Sequence, residues 1–156
     1  IAMKRYILMI LLLIPLISYA EIPAVVKLGK EAAKQEDVEH TSVGSFMLGM
    51  ASKFADKEQR ATFKMLDNIE MIECKNRAYA PKLVAQTLAI IENEGATFIG
   101  SQDDGKALNE LYGVYSGDVI KELIIIVKSH TEGVAIVAMS GAIPTHRLAE
   151  IATIKR

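Results

Sequence analysis

One cysteine, Cys74, stands in 156 residues, so the chain cannot close an internal disulfide and must draw its stability from an apolar core. Cys74 ends the apolar-rich run Ile69-Glu70-Met71-Ile72-Glu73-Cys74, which reads as a strand and makes the thiol a small core residue. A reactive thiol or an intermolecular disulfide is the alternative, and it needs an electropositive, exposed setting. Histidine is also scarce, at three residues. His146 and Glu150 lie four apart and share a helix face, but zinc takes at least three protein ligands and no other spacing completes the set. His40 and His130 flank a strand and a turn, and both read as solvated polar residues. The phosphate-cradling G-x-G-x-x-G and P-loop patterns are missing. Ser45 and Ser140 each adjoin a glycine, yet neither lies in G-x-S-x-G with a histidine partner. Asp103-Asp104-Gly105 lacks the alternating acids and closing Glu of a calcium loop and reads as a hairpin turn. No catalytic, cofactor-binding or metal residues are assigned.

No excess of one charge is present either: 18 basic residues face 19 acidic ones. Tyr112 and Tyr115 near Lys121 suggest single-strand recognition, but Glu110, Asp118 and Glu122 cancel the field. Aromatics on strands more often pack across them. Without Lys4 and Arg5 of the leader described next, 16 basic residues face 19 acidic ones, a formal charge of about −3. That balance gives no electrostatic case for nucleic acid or an anionic membrane.

What the chain does have is a marked beginning. Met3-Lys4-Arg5 precedes an apolar run from Tyr6 to Ile17, and Ser18-Tyr19-Ala20 comes before Glu21. This is the pattern of a secretory signal peptide cut after Ala20. The fifteen residues from Tyr6 to Ala20 fall short of the roughly 20 that span a bilayer as a helix, and Pro15 interrupts them. Ile1 and Ala2, ahead of the initiator-like Met3, look like a reading-frame remnant. A bacterial lipid anchor needs a cysteine after the cut, where Glu21 stands. The expected product is residues 21–156 as one domain, periplasmic or secreted, without stable membrane insertion.

Periodicity then organises the remainder. Ala24 to Gln35 has Val25, Leu28 and Ala32 at helical spacing. The polar run Glu36 to His40 leads to a short strand at Thr41-Ser42-Val43. Ser45 is placed to cap a helix in which Met47, Met50, Ala51 and Phe54 share a face. Asp56 with Gln59 starts another helix, to about Leu66, and Asp67-Asn68 breaks it before the Ile69 to Cys74 strand. Pro81 sits in the first turn of the clearest helix, with Ala80, Val84, Leu88 and Ile91 recurring and Gly95 as its stop. From there turn signals about every ten residues divide β-rich runs: Thr97 to Ser101, Leu108 to Tyr115, Ile120 to Lys128 and Val134 to Ser140. The run Leu123 to Val127 is apolar on both faces and predicts a central strand. Pro144 and Thr145 open a last helix with Leu148, Ile151 and Ala152 inward. The fold class expected is α+β: a C-terminal four-strand antiparallel meander plus N-terminal strands, with helices packed mainly on one face.

Three segments carry a resemblance. Thr41-Ser42-Val43 running into Ser45-Phe46-Met47-Leu48, the Ile69 to Cys74 strand, and Val119 to Val127 followed by Val134 to Gly141 resemble a family of exported Bacteroidetes proteins, domain-of-unknown-function family 4252. The resemblance covers nearly all of residues 21–156 and implies an exported α+β domain with no catalytic residues to carry over. Many relatives look lipid-anchored or linked to extracytoplasmic signalling, and this chain departs from the first by lacking the cysteine. The function expected is non-catalytic binding of an envelope protein or a small apolar ligand. A regulator in an envelope-stress pathway and an unrecognised hydrolase are the alternatives.

Overall fold

The computed structural model describes residues 23–148. Along it come α1 (Pro23–Ala32), β1 (Val38–Gly44), α2 (Ser45–Phe54), α3 (Lys57–Met65), β2 (Leu66–Cys74) and α4 (Ala80–Asn93). Then follow β3 (Thr97–Asp103), β4 (Ala107–Ser116), β5 (Val119–Ser129) and β6 (Val134–Pro144), closed by a 3-10 turn at Thr145–Arg147. The six strands form one antiparallel sheet in the order β1-β2-β6-β5-β4-β3. The fold is therefore α+β, with the C-terminal meander and the N-terminal strands joined where β2 pairs with β6.

Side chains alternate between the faces of a strand, so the sheet carries two cores, and the helices divide in pairs between its faces instead of packing mainly on one. On one face Ile72, Ile124, Ile126 and Ile136 pack with Val25 and Leu28 of α1 and Leu83 and Ile91 of α4. On the other, Leu123, Ile125, Val137 and Met139 gather with Leu48 of α2, and Phe63 of α3 lies at the margin. Leu123 to Ile126 are all buried, which is why that run is apolar without alternation: each residue in turn serves a different core.

Several local features follow the chain's own chemistry. The Asp56 side chain accepts the Gln59 amide at 2.8 Å and starts α3. Gly95, at φ 68°, ends α4 while the Ala96 amide reaches back to the Ile91 carbonyl, the left-handed stop that glycine permits. The Asp103-Asp104-Gly105 turn is held by Asp103 accepting the Gly105 amide and Asp104 accepting those of Lys106 and Ala107.

Other features depart from the periodicity. Asp67 and Asn68 do not break the chain; they lie inside β2, where a bulge between Leu66 and Asn68 absorbs one residue. Gly141 does not end β6 but lets it pass the α3–β2 junction, since a Cβ there would stand 2.1 Å from the Met65 carbonyl oxygen. Gly44, not Ser45, is the N-cap of α2, and no side chain caps it. The buried face of α4 is Ala80, Leu83, Thr87 and Ile91, and Leu88 points outward. The leader over residues 1–20 and the closing-helix positions Glu150, Ile151 and Ala152 lie outside the described residues.

Candidate functional site

A buried cluster of polar side chains sits on the α1/α4 face, at the end of the sheet nearest Gly44. Register places Ser42 opposite Glu70, and sets Asn68, Ser140 and Glu122 in one row across β2, β6 and β5. Glu70 is buried, 1% exposed. Its carboxylate accepts the Asn68 amide at 3.0 Å, the Ser42 hydroxyl, and the His40 ring at 2.6 Å through Nε2. An ionised carboxylate accepts and does not donate, so the bond from His40 requires the tautomer with its proton on Nε2. His40 is accordingly not a solvated residue, as its polar neighbourhood in sequence suggested. Strand β1 begins at Val38 and turns His40 inward, and α1 closes over it with Gly29, where a Cβ would stand 2.5 Å from the imidazole.

This arrangement brings serine, histidine and an acid together in the wrong order for nucleophilic catalysis. A serine hydrolase needs the imidazole between hydroxyl and carboxylate, so that it can take the hydroxyl proton. Here the carboxylate is the hub, and both Ser42 and His40 bond to it. The cluster ties edge strand β1 to β2. Among the described residues no group of three or more His, Cys, Asp or Glu is placed to hold a metal ion.

Glu122 has the opposite character. Burial pushes its carboxyl above the ordinary carboxylate range, with Glu94 adding to the shift and Lys121 opposing it. Its Oε2 is buried without a hydrogen-bond partner among the described residues.

An open cleft of about 490 Å³ lies where the start of α4 meets the β5–β6 turn, lined by Arg77, Pro81, Val84, Lys128 and His130 among others. Its cations are engaged. Lys128 pairs with Glu110 at 2.5 Å, His130 with Asp103 at 3.0 Å, and Arg77 donates to the Thr131 carbonyl. The Lys128 hydrogen bond is the main influence holding Glu110 below its usual range, as His130 is for Asp103. The amides of Ala78 and Tyr79 are taken by the Asn76 side chain.

The remaining candidates stay apart. Cys74 is buried in the α1/α4 core, and its thiol is pushed up by burial, which suits packing and not nucleophilic attack. Ser140 is buried on the face of Glu70, Ser45 and His146 are exposed on separate elements, and Tyr112 donates to Glu110. His146 lies in the 3-10 turn, while Glu150, its paired position, lies outside the described residues.

The third feature is a surface. Helix α2 buries only Leu48, while Phe46 (77%), Met47 (56%), Met50 (46%) and Phe54 (88%) are exposed. At about 100° per residue these four share an arc roughly 100° wide, about 150° from Leu48. The spacing picked out Met47, Met50, Ala51 and Phe54; Phe46 belongs to the same arc, and this face points away from the core. Periodicity shows that apolar residues share a side; it does not say whether the sheet or something else meets that side. Monomeric surfaces rarely gather large apolar side chains this way without a contact to make.

The chain belongs to the family described as Domain of unknown function (DUF4252), whose model matches residues 31–151. No curated protein and no solved structure matches it. Among the described residues no helix is long and apolar enough to cross a membrane.

Proposed function

We propose that this DUF4252 domain is a non-catalytic interaction module of the cell envelope, released as residues 21–156 by cleavage after Ala20, and that the outward face of α2 is its contact surface. The observation that carries this reading is the orientation of α2: Leu48 alone anchors it, while two phenylalanines and two methionines face out. Covering a phenylalanine is worth about 1.5–3 kcal/mol relative to leaving it in water. A partner that covers Phe46 and Phe54 therefore gains what folding alone forgoes. The closed bonding around Glu70 supports the same view, since its donors are spent on holding β1 in place.

Export rests on the Lys4-Arg5 lead, the apolar run and the small residues before Glu21. Intact mass of the protein recovered from its own envelope fraction tests it: a chain beginning at Glu21 is expected, and one that retains residues 3–20 contradicts it. On the same sample, tagged protein should retain envelope material that the Phe46→Ser/Phe54→Ser variant does not. Equal retention by both contradicts the assignment of α2.

A further inference from the structure

The charge of the chain is not spread evenly. Directly after Phe54, α3 carries Lys57, Arg60 and Lys64 at spacings of three and four, which puts them on one stripe of the helix. All three are exposed, and the buried residue of α3, Thr62, lies on the opposite side. Arg60 folds back on α2, donating from Nε to the Ser52 carbonyl at 3.0 Å and from a terminal nitrogen to that of Ala55 at 3.3 Å. These bonds fix the basic stripe beside the end of the apolar arc, where Lys53 adds a further cation. Among the described residues Lys53, Lys57 and Lys64 have no ion-pair partner. Only Asp56, occupied as the cap of α3, and Glu58 oppose them within the hairpin. The α2–α3 hairpin is thus basic in a chain whose net charge is −1, and overall charge balance conceals it.

Exposed phenylalanine and methionine along one helix, bordered by exposed lysines, match an anionic lipid surface: rings enter the headgroup boundary while ammonium groups meet phosphates. We infer that the α2–α3 hairpin docks the domain peripherally on an anionic bilayer, with Phe46, Met50 and Phe54 inserted and Lys53, Lys57 and Lys64 at the headgroups. This rests on the reading of α2 as the contact surface and names what it contacts. A peripheral contact of this depth needs no spanning helix.

The test uses the chain from Glu21 onward, which holds every described element and omits the apolar leader, itself able to bind lipid. Flotation with phosphatidylcholine vesicles is compared with vesicles containing about a third phosphatidylglycerol, at low and raised salt. Binding should require the anionic lipid and weaken with salt. Each of Lys53→Gln, Lys57→Gln and Lys64→Gln should weaken it roughly fivefold. Phe46→Ser/Phe54→Ser should weaken it roughly tenfold or more while leaving the thermal transition in place. Absence of binding to anionic vesicles at low salt overturns the inference, as does binding indifferent to Phe46 and Phe54. Light scattering on the same samples separates this failure from that of the broader reading. Self-association lost in the phenylalanine variant, without vesicle binding, overturns lipid docking and keeps α2 as a contact surface for a second copy. If vesicle binding, self-association and retention of envelope material are all indifferent to Phe46 and Phe54, both readings fall.

Discussion

Replacing Glu70 with alanine should be among the most destabilising single changes on the surface of the sheet. The carboxylate is 1% exposed, and the Asn68 side chain that donates to it is also buried. His40 reaches it with a ring that is only 11% exposed. Truncation removes the common acceptor and leaves the Asn68 amide and the His40 ring nitrogen as buried donors without it. Each such group costs about 1–3 kcal/mol, so the loss should be about 3–5 kcal/mol, a large part of an ordinary domain's stability. Urea denaturation of Glu70→Ala, His40→Ala and the double variant measures this directly. In the double variant one stranded donor is gone, so its cost should be clearly less than the sum of the singles. Glu70→Gln, which keeps an acceptor in place, should cost less than Glu70→Ala. A loss below about 1 kcal/mol for Glu70→Ala, or strict additivity with His40→Ala, would show that the cluster does not hold β1 to β2.

Other consequences are open to measurement. Because the carboxyl of Glu122 is raised by burial, it holds its proton in the folded chain at pH values where the unfolded chain has released it. Stability from this group is therefore full in acid and declines as pH rises through the folded value. Glu122→Gln should raise the urea midpoint at pH 8, with the advantage vanishing below the ordinary carboxylate range; an advantage constant with pH would refute the assignment. Leu48→Ala should cost about 2–4 kcal/mol by thermal or urea melting, whereas Phe46→Ser and Phe54→Ser should each stay within about 0.5 kcal/mol. The reverse ranking would mean that α2 is turned the other way. Gly133→Ala should destabilise by at least about 2 kcal/mol in the same assay, because Gly133 sits at φ 138° and a Cβ would stand 2.2 Å from the Cys74 carbonyl oxygen. A neutral result would place the β5–β6 turn elsewhere.

The parts of the fold that could be read from the residues are those set by neighbours in the chain. Leu123 to Val127 gave away a central strand because an unbroken apolar run satisfies two cores at once. Asp56 with Gln59, the Asp103-Asp104-Gly105 turn and Gly95 act within a few residues of themselves. The candidate site was not readable in this way. Ser42 and His40 meet Glu70 across 28 and 30 residues of chain, through a register set when β2 enters the sheet between β1 and β6. Before that pairing is known, Glu36 to His40 is only a polar run. The bulge at Leu66/Asn68 shows the same limit, since Asp67-Asn68 has the composition of a turn and only its partners keep it in β2. For α2 the spacing found Met47, Met50 and Phe54 of the apolar arc but not Phe46, and the direction of the arc depends on Leu48, a single residue outside it.

The measurement that bears most directly on the account is retention of native envelope material by the tagged chain from Glu21 onward, beside its Phe46→Ser/Phe54→Ser variant, with both confirmed folded by matching thermal transitions. The unaltered chain should be retained and the variant should not. Equal retention of two equally stable proteins would contradict this, because the outward face of α2 would then have no part in what this domain binds.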